Sequence, residues 1–153
     1  MVWDEALLKS FYRDLTAGRN LITEKYGRMM ESTAPARYEE IKDNFPALDG
    51  ERIKLQEGII AVQVGMMESF AEKYPKMAGN ARKIHTSEDT EYETSYETYL
   101  RGEISTYSDE TLLGYGRLLA EYAKEGKNIA YEIMNNTAKL LGYRDVEDAE
   151  GRI

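Results

Sequence analysis

Apolar residues recur at three- and four-residue steps along three long stretches of this chain, and that spacing restricts it to packed helices. In the first stretch the stripe is Leu8, Phe11, Leu15, Gly18, Ile22 and Met29. Asp4 is placed to cap its start, with Glu5 in the first turn. The phase continues through Gly18, so the spacing predicts one long helix that stops before Pro35, at Glu31 to Thr33. The glycine would then sit on the packed face and allow a close backbone approach. The alternative ends one helix at Gly18 and caps a second with Asn20.

The second stretch runs from about Glu51 to Tyr74, capped by Asp49 and stopped by Pro75. Its apolar residues cover most of the circumference, which marks a central helix. Gly58, Ala61 and Gly65 form a small-residue line where backbones could meet closely. Gln56 and Gln63 are read as edge residues that reach water. The third stretch starts at the Ser108 cap and repeats Leu112, Tyr115, Leu119, Tyr122, Gly126, Ile129, Ile133 and Leu140. It is expected to be the longest helix, ending near Gly142, with the acidic tail after it forming one extra turn or fraying. Shorter helices fit between: one opened by Pro35 with Tyr38, Ile41 and Phe45 on its buried side, and one from Thr94 or Ser95 to about Tyr107. The expected fold is an all-α helical bundle with three long helices plus shorter ones, a single domain over residues 1–153.

The first and last stretches echo each other. Asp4–Leu8 (DEALL) matches Asp109–Leu113 (DETLL), and Gly18–Glu24 (GRNLITE) matches Gly126–Glu132 (GKNIAYE). A duplication giving a pseudo-two-fold bundle and a chance match of short helix-start signals both account for this.

Composition removes several function classes. A net charge of −8 disfavours a nucleic-acid backbone or an anionic membrane as the main partner, since both need a positive face. The absence of cysteine excludes disulfides, thiol chemistry and Cys-type zinc sites. The N-terminal segment lacks a signal-peptide pattern and no apolar run approaches a membrane span, so a cytoplasmic location is the default expectation.

Chemistry concentrates in the polar run His85–Ser108, HTSEDTEYETSYETYLRGEISTYS, which is longer than a helix connection requires. It holds the chain's only histidine. Arg101 offers a planar fork for a carboxylate or phosphate, with Tyr99 beside it. His85, Glu103 and Tyr107 are the candidate proton-handling groups, and Glu88 and Asp89 complete the candidate ligand-binding set. An all-carboxylate cation site around Glu88, Asp89, Glu91 and Glu93 lacks the glycine and spacing of an EF-hand, and a solvated acidic loop is the simpler reading. For Arg101 the structural alternative is pairing with Glu97 or Glu103. No nucleophile elbow, phosphate-cradling loop or Glu-x-x-His pair is present. Twelve tyrosines against three phenylalanines suit half-buried positions where a hydroxyl must find a partner.

The stretches NLITEKYGRMMESTAP, VQVGMMESFAEKYPKMAGNARKIHTSEDT and TSYETYLRGEISTYS resemble a bacterial family known as domain of unknown function 4125, over nearly the whole chain from Trp3 to about Glu150. The resemblance implies no particular reaction. It does imply that relatives carry a segment before the position of Trp3, so this chain is expected to be a short member or to lack one wall of a site. Two functions follow as expectations. One is a small-molecule-binding domain, with or without enzymatic activity, whose polar or anionic ligand sits where residues 85–108 fold over the bundle. The other is an interaction module, a homodimer included, built on seven methionines and abundant tyrosines.

Overall fold

The computed structural model describes residues 3–153 and is all-α. Its helices are α1 (Glu5–Leu15), α2 (Leu21–Thr33), α3 (Pro35–Ile41), α4 (Gly50–Lys73), α5 (Pro75–Gly79), α6 (Tyr96–Ile104), α7 (Asp109–Lys124), α8 (Ile129–Leu140) and α9 (Val146–Arg152). Single 3₁₀ turns occupy Lys42–Asn44 and Thr86–Glu88. Most starts are written in the sequence as caps. The Leu7 N–H donates to the Asp4 carboxylate at 2.8 Å, Arg52 N–H to Asp49 at 2.7 Å, and Thr98 N–H to the Ser95 hydroxyl at 3.2 Å. Pro35 and Pro75 each stand in a first turn, where the missing N–H costs nothing.

Helix α4 is central, touching α5, α6, α7 and α8, as its all-round apolar surface requires. Ile60, Met67 and Phe70 are each 2% exposed, and burying side chains of this size contributes about 1.5–3 kcal/mol apiece. One end of the core gathers Leu7, Ile104, Leu112, Tyr115 and Leu119 around α4; the other gathers Phe70, Tyr74, Met77, Ala138, Val146 and Ala149. Helix α1 packs on α7, and α2 packs on α6. The α2–α6 approach is close because of Gly102: a Cβ there would stand 2.7 Å from Met29 Cγ and 3.0 Å from the Lys25 carbonyl oxygen.

Two of the expected long helices are broken. Gly18 has φ +88° and Gly126 has φ +70°, so each ends a helix in the left-handed region. Asn20 and Asn128 then cap the next helix, donated to by the Thr23 and Tyr131 N–H groups at 3.1 Å each. Neither glycine meets any atom within 4 Å of an added Cβ, so they serve conformation and not close packing. The same open space surrounds Gly58 and Gly65, where no backbones meet. The apolar spacing runs through both breaks in the sequence, but around the first it does not mark a packed face: Leu15 and Ile22, either side of Gly18, are exposed. The internal echo is therefore a repeated helix-break device. Its two copies have different neighbours, α2 lying on α6 and α8 on α4 and α9.

Of the two forms expected for the C-terminal tail, an added turn of helix or fraying, the structure has the helix: α9 is fixed by fully buried Val146 and Ala149, and its Glu150 carboxylate accepts from the Lys76 and Met77 N–H groups of α5. One further expectation is corrected. Gln56 and Gln63 do not reach water. Both are 3% exposed, and both have partners across the bundle. No helix among the described residues is long and apolar enough to cross a membrane.

Candidate functional site

Helix α6 is the rib on which the polar run is folded. Ser95 starts it, and its end is held by Arg52 of α4, whose guanidinium donates to the Ile104 and Tyr107 carbonyls at 3.1 and 2.5 Å and to Asp109 at 2.8 Å. Helical spacing then sorts the run into two faces. Tyr96, Tyr99, Leu100 and Glu103 project one way, with Tyr107 just beyond the helix end; Glu97 and Arg101 project another.

On the second face every strong group is matched. Arg101 makes a two-pronged pair with Glu57 at 2.7 and 2.9 Å, and also donates to Glu97 at 2.8 Å and Thr86 at 3.0 Å. These carboxylates, Glu57 foremost, hold the guanidinium above its ordinary value despite partial burial. Asp89 accepts from the Ser95 N–H at 2.7 Å and from the Thr98 and Ser32 hydroxyls at 2.5 Å each. Desolvation pushes the Asp89 carboxyl up, but these donors outweigh it and leave it below the usual carboxylate range. His85 opens the 3₁₀ turn Thr86–Glu88 in a reciprocal capping arrangement with Glu88, and its ring contacts Glu68 at 2.7 Å. The Glu68 and Glu88 contacts raise the imidazole, led by Glu68. Thus four of the sequence candidates, Arg101, Asp89, His85 and Glu88, lie in a network that ties the loop to α2, α4 and α6.

The first face borders a groove of about 1310 Å³. Its walls come from Trp3 and Leu8 beside α1, Met67 of α4, the Gly79–Lys83 link, Leu100 of α6, and Ile129, Ile133, Met134 and Thr137 of α8. Among the sequence candidates, Tyr99, Glu103 and Tyr107 line it. Lys25 pairs with Glu103 at 3.2 Å and lies 3.8 Å from the centre of the Tyr99 ring, while the Arg82 guanidinium carbon lies 4.7 Å from the same ring. At one end Trp3, Phe11, Tyr107 and Tyr115 stack edge to face with centroids 5.3–6.1 Å apart.

Sequence reasoning missed the polar centre of this groove. Gln63 joins two tyrosines: the Tyr115 hydroxyl donates to its Oε1, and its Nε2 donates to the Tyr96 hydroxyl oxygen at 2.7 Å. All three residues line the groove. Tyr107, only 5% exposed, has no hydrogen-bond partner for its hydroxyl among the described residues, although it too lines the groove. Burial raises the Tyr96, Tyr107 and Tyr115 phenols, so all three keep their protons at neutral pH. The available signal was Gln63 one helical turn from Met67 in the apolar stretch Ile59–Met67 of α4, since a glutamine there must be partnered if buried. The described residues contain no group of three or more His, Cys, Asp or Glu side chains that could hold a metal ion.

A family model described as protein of unknown function (DUF4125) matches residues 1–151, and the chain belongs to that family. No curated protein and no solved structure matches it.

Proposed function

We propose that this family member binds a small, largely apolar molecule in the groove between α4, α6 and α8. The supporting observation is one large cavity whose walls are apolar and whose floor carries tyrosine hydroxyls with hydrogen-bonding capacity to spare. Ordinary ligand pockets have this composition, apolar walls with a few convergent polar groups, at about 300–1,000 Å³. At about 1310 Å³ the groove suits an elongated molecule. The Arg101 face supports binding less well, because its charges already have partners. Where turnover follows binding, Glu103 and Tyr107 are the proton-handling groups available, since the lining includes neither histidine nor cysteine.

Trp3 is the only tryptophan and lines the groove, so its emission reports occupancy directly. Titration with 2-ethylnaphthalene, an apolar probe, is expected to quench Trp3 saturably. Ile133 lines the groove at 40% exposure, so Ile133→Glu places a charge in the wall without disturbing the core. That variant is expected to weaken the probe about ten-fold or more. Absence of saturable quenching up to the solubility limit, or equal affinity in Ile133→Glu, contradicts the reading.

A second reading rests on another observation. Exposed Leu55, Val62 and Leu113 line a shallow apolar channel between α4 and α7 beside Gly58 and Gly116, flanked by Lys54 and Arg117. An assembly module would use this strip between copies of the chain. Sedimentation at several concentrations, repeated with Val62→Glu, tests it: a concentration-dependent dimer lost in the variant supports it, and a monomer throughout ends it.

A further inference from the structure

Three groups at the groove floor share their protons in a way that leaves one over. Gln63 presents one carbonyl oxygen, which only accepts, and one NH2, which only donates. Tyr115 gives its hydroxyl proton to that oxygen, and Tyr96 receives from the NH2 on its own oxygen. The Tyr96 proton is then committed to nothing, and the hydroxyl makes no other hydrogen bond among the described residues. Turning the amide over changes which tyrosine holds the spare proton and nothing else. Oε1 would then accept from Tyr96, Nε2 would donate to Tyr115, and the Tyr115 proton would be left. Both tyrosines line the groove, so it receives one free O–H donor in either state. Tyr107 adds a second hydroxyl, 5% exposed and unpartnered among the described residues.

The surroundings favour a neutral partner for these donors. Arg82 and Lys83 line the groove, but so do Glu93 and Glu103, and Lys25 is paired to Glu103. The lining therefore offers no excess of either sign. An ammonium group would meet only neutral phenol oxygens at the relay, and the Glu103 carboxylate that lines the groove is already paired with Lys25. An alkane would leave buried donors unmatched, which is unfavourable.

We propose that the groove selects a neutral carbonyl compound, such as a ketone, aldehyde or ester on an apolar skeleton, whose oxygen accepts from the spare tyrosine protons at the Gln63 relay. This rests on the groove being the binding site. The amide of Gln63 acts as a positioning group: it consumes one tyrosine proton and thereby dictates that the other faces the ligand as a donor.

Three naphthalene probes of similar size separate the cases by Trp3 quenching: 2-acetylnaphthalene, 2-ethylnaphthalene and 2-naphthylmethylammonium. The acetyl probe is expected to bind about ten-fold tighter than the ethyl probe, and the ammonium probe more weakly than either. The bound acetyl carbonyl should show its infrared stretch shifted to lower frequency. In the Tyr96→Phe/Tyr107→Phe double variant, where only the Tyr115–Gln63 pair remains to supply a donor, the acetyl probe is expected to weaken about five-fold toward the affinity of the ethyl probe, the infrared shift should diminish, and ethyl binding should be unchanged. Retained ethyl binding also shows that the double variant is folded. Equal affinities of acetyl and ethyl probes in the unaltered protein overturn the carbonyl inference and leave the groove reading standing. Failure of all three probes overturns the groove reading and the inference together. A preference for the ammonium probe overturns the donor assignment.

Discussion

The two faces of α6 carry similar residue types and behave oppositely. On the face of Glu97 and Arg101, with the neighbouring loop residue Asp89, charge meets charge, and the donors of Ser32, Ser95 and Thr98 converge on one carboxylate. On the face of Tyr96, Tyr99 and Glu103, with Tyr107 beyond it, hydroxyls are buried against a cavity and at least one proton has no destination in the protein. A saturated polar network stabilises a loop and offers a ligand little. An unsaturated one costs stability and is retained where something else completes it. Polar density alone therefore misleads; what distinguishes a site from a strut is the unmatched remainder.

If the first face is structural, its loss should register in unfolding. Asp89→Ala strands the Ser95 N–H and takes the charged acceptor from two hydroxyls, Ser32 and Thr98, that keep weaker partners, and is expected to cost about 2 kcal/mol in urea unfolding. A cost near zero would dissolve the distinction between the faces. The pH dependence follows from the same groups. Asp89 and Glu97 lie below their ordinary values in the folded chain, so their contribution is present above the unfolded carboxylate range near pH 4 and is lost as pH falls through the lower folded values. Asp89→Asn should remove part of that acid-side slope.

Next in size is Gly102→Ala, where the new methyl meets Met29 and the Lys25 carbonyl across the α2–α6 contact. About 1–3 kcal/mol is expected, because the backbone oxygen cannot move aside as Met29 can. Arg101→Ala should cost less, about 1 kcal/mol, since the Glu57 pair is partly exposed and screened. Neither substitution is expected to change probe affinity by more than about two-fold.

The other face predicts the reverse pattern. Tyr107→Phe removes a hydroxyl that has no protein partner among the described residues and opens on the groove, so stability should stay level while discrimination for the carbonyl probe declines. A clear loss of stability would show that the hydroxyl was already satisfied. His85 gives the smallest effect. Glu68 and Glu88 raise its imidazole above 6.5, so its contribution is fully present below the unfolded value and disappears as pH rises through the folded one. Both partners are half exposed, so His85→Ala should lose only a few tenths of a kcal/mol at pH 5 and nothing at pH 9.

Much of this fold was legible. The caps at Asp4, Asp49, Ser95 and Ser108, the proline start at 35 and the stop before Pro75 are local chemistry written in adjacent residues, although the short helix that Pro75 opens was not foreseen. Breaks at Gly18 and Gly126 were obscured because apolar spacing along a sequence reports neither continuity nor burial: Leu15 and Ile22, either side of Gly18, fit the stripe and are exposed. The candidate site was half legible for a similar reason. Helical spacing separates Tyr96 and Leu100 from Glu97 and Arg101, but sequence cannot say which side of α6 faces a cavity. Of the partners that saturate Arg101, Glu97 lies one helical turn away and was legible, whereas Glu57 lies 44 positions away. The relay joins Gln63, Tyr96 and Tyr115 from three helices, a convergence that only tertiary packing creates. Gln63 itself, a polar residue on a central apolar helix, was the visible trace of it.

The most direct test compares the two faces in one assay, the affinity of 2-acetylnaphthalene read by Trp3 quenching in Arg101→Ala and in the Tyr96→Phe/Tyr107→Phe double variant. Arg101→Ala is expected to bind within about two-fold of the unaltered protein, and the double variant about five-fold more weakly. Full affinity in the double variant together with loss in Arg101→Ala would contradict the assignment and return the site to the face of Arg101.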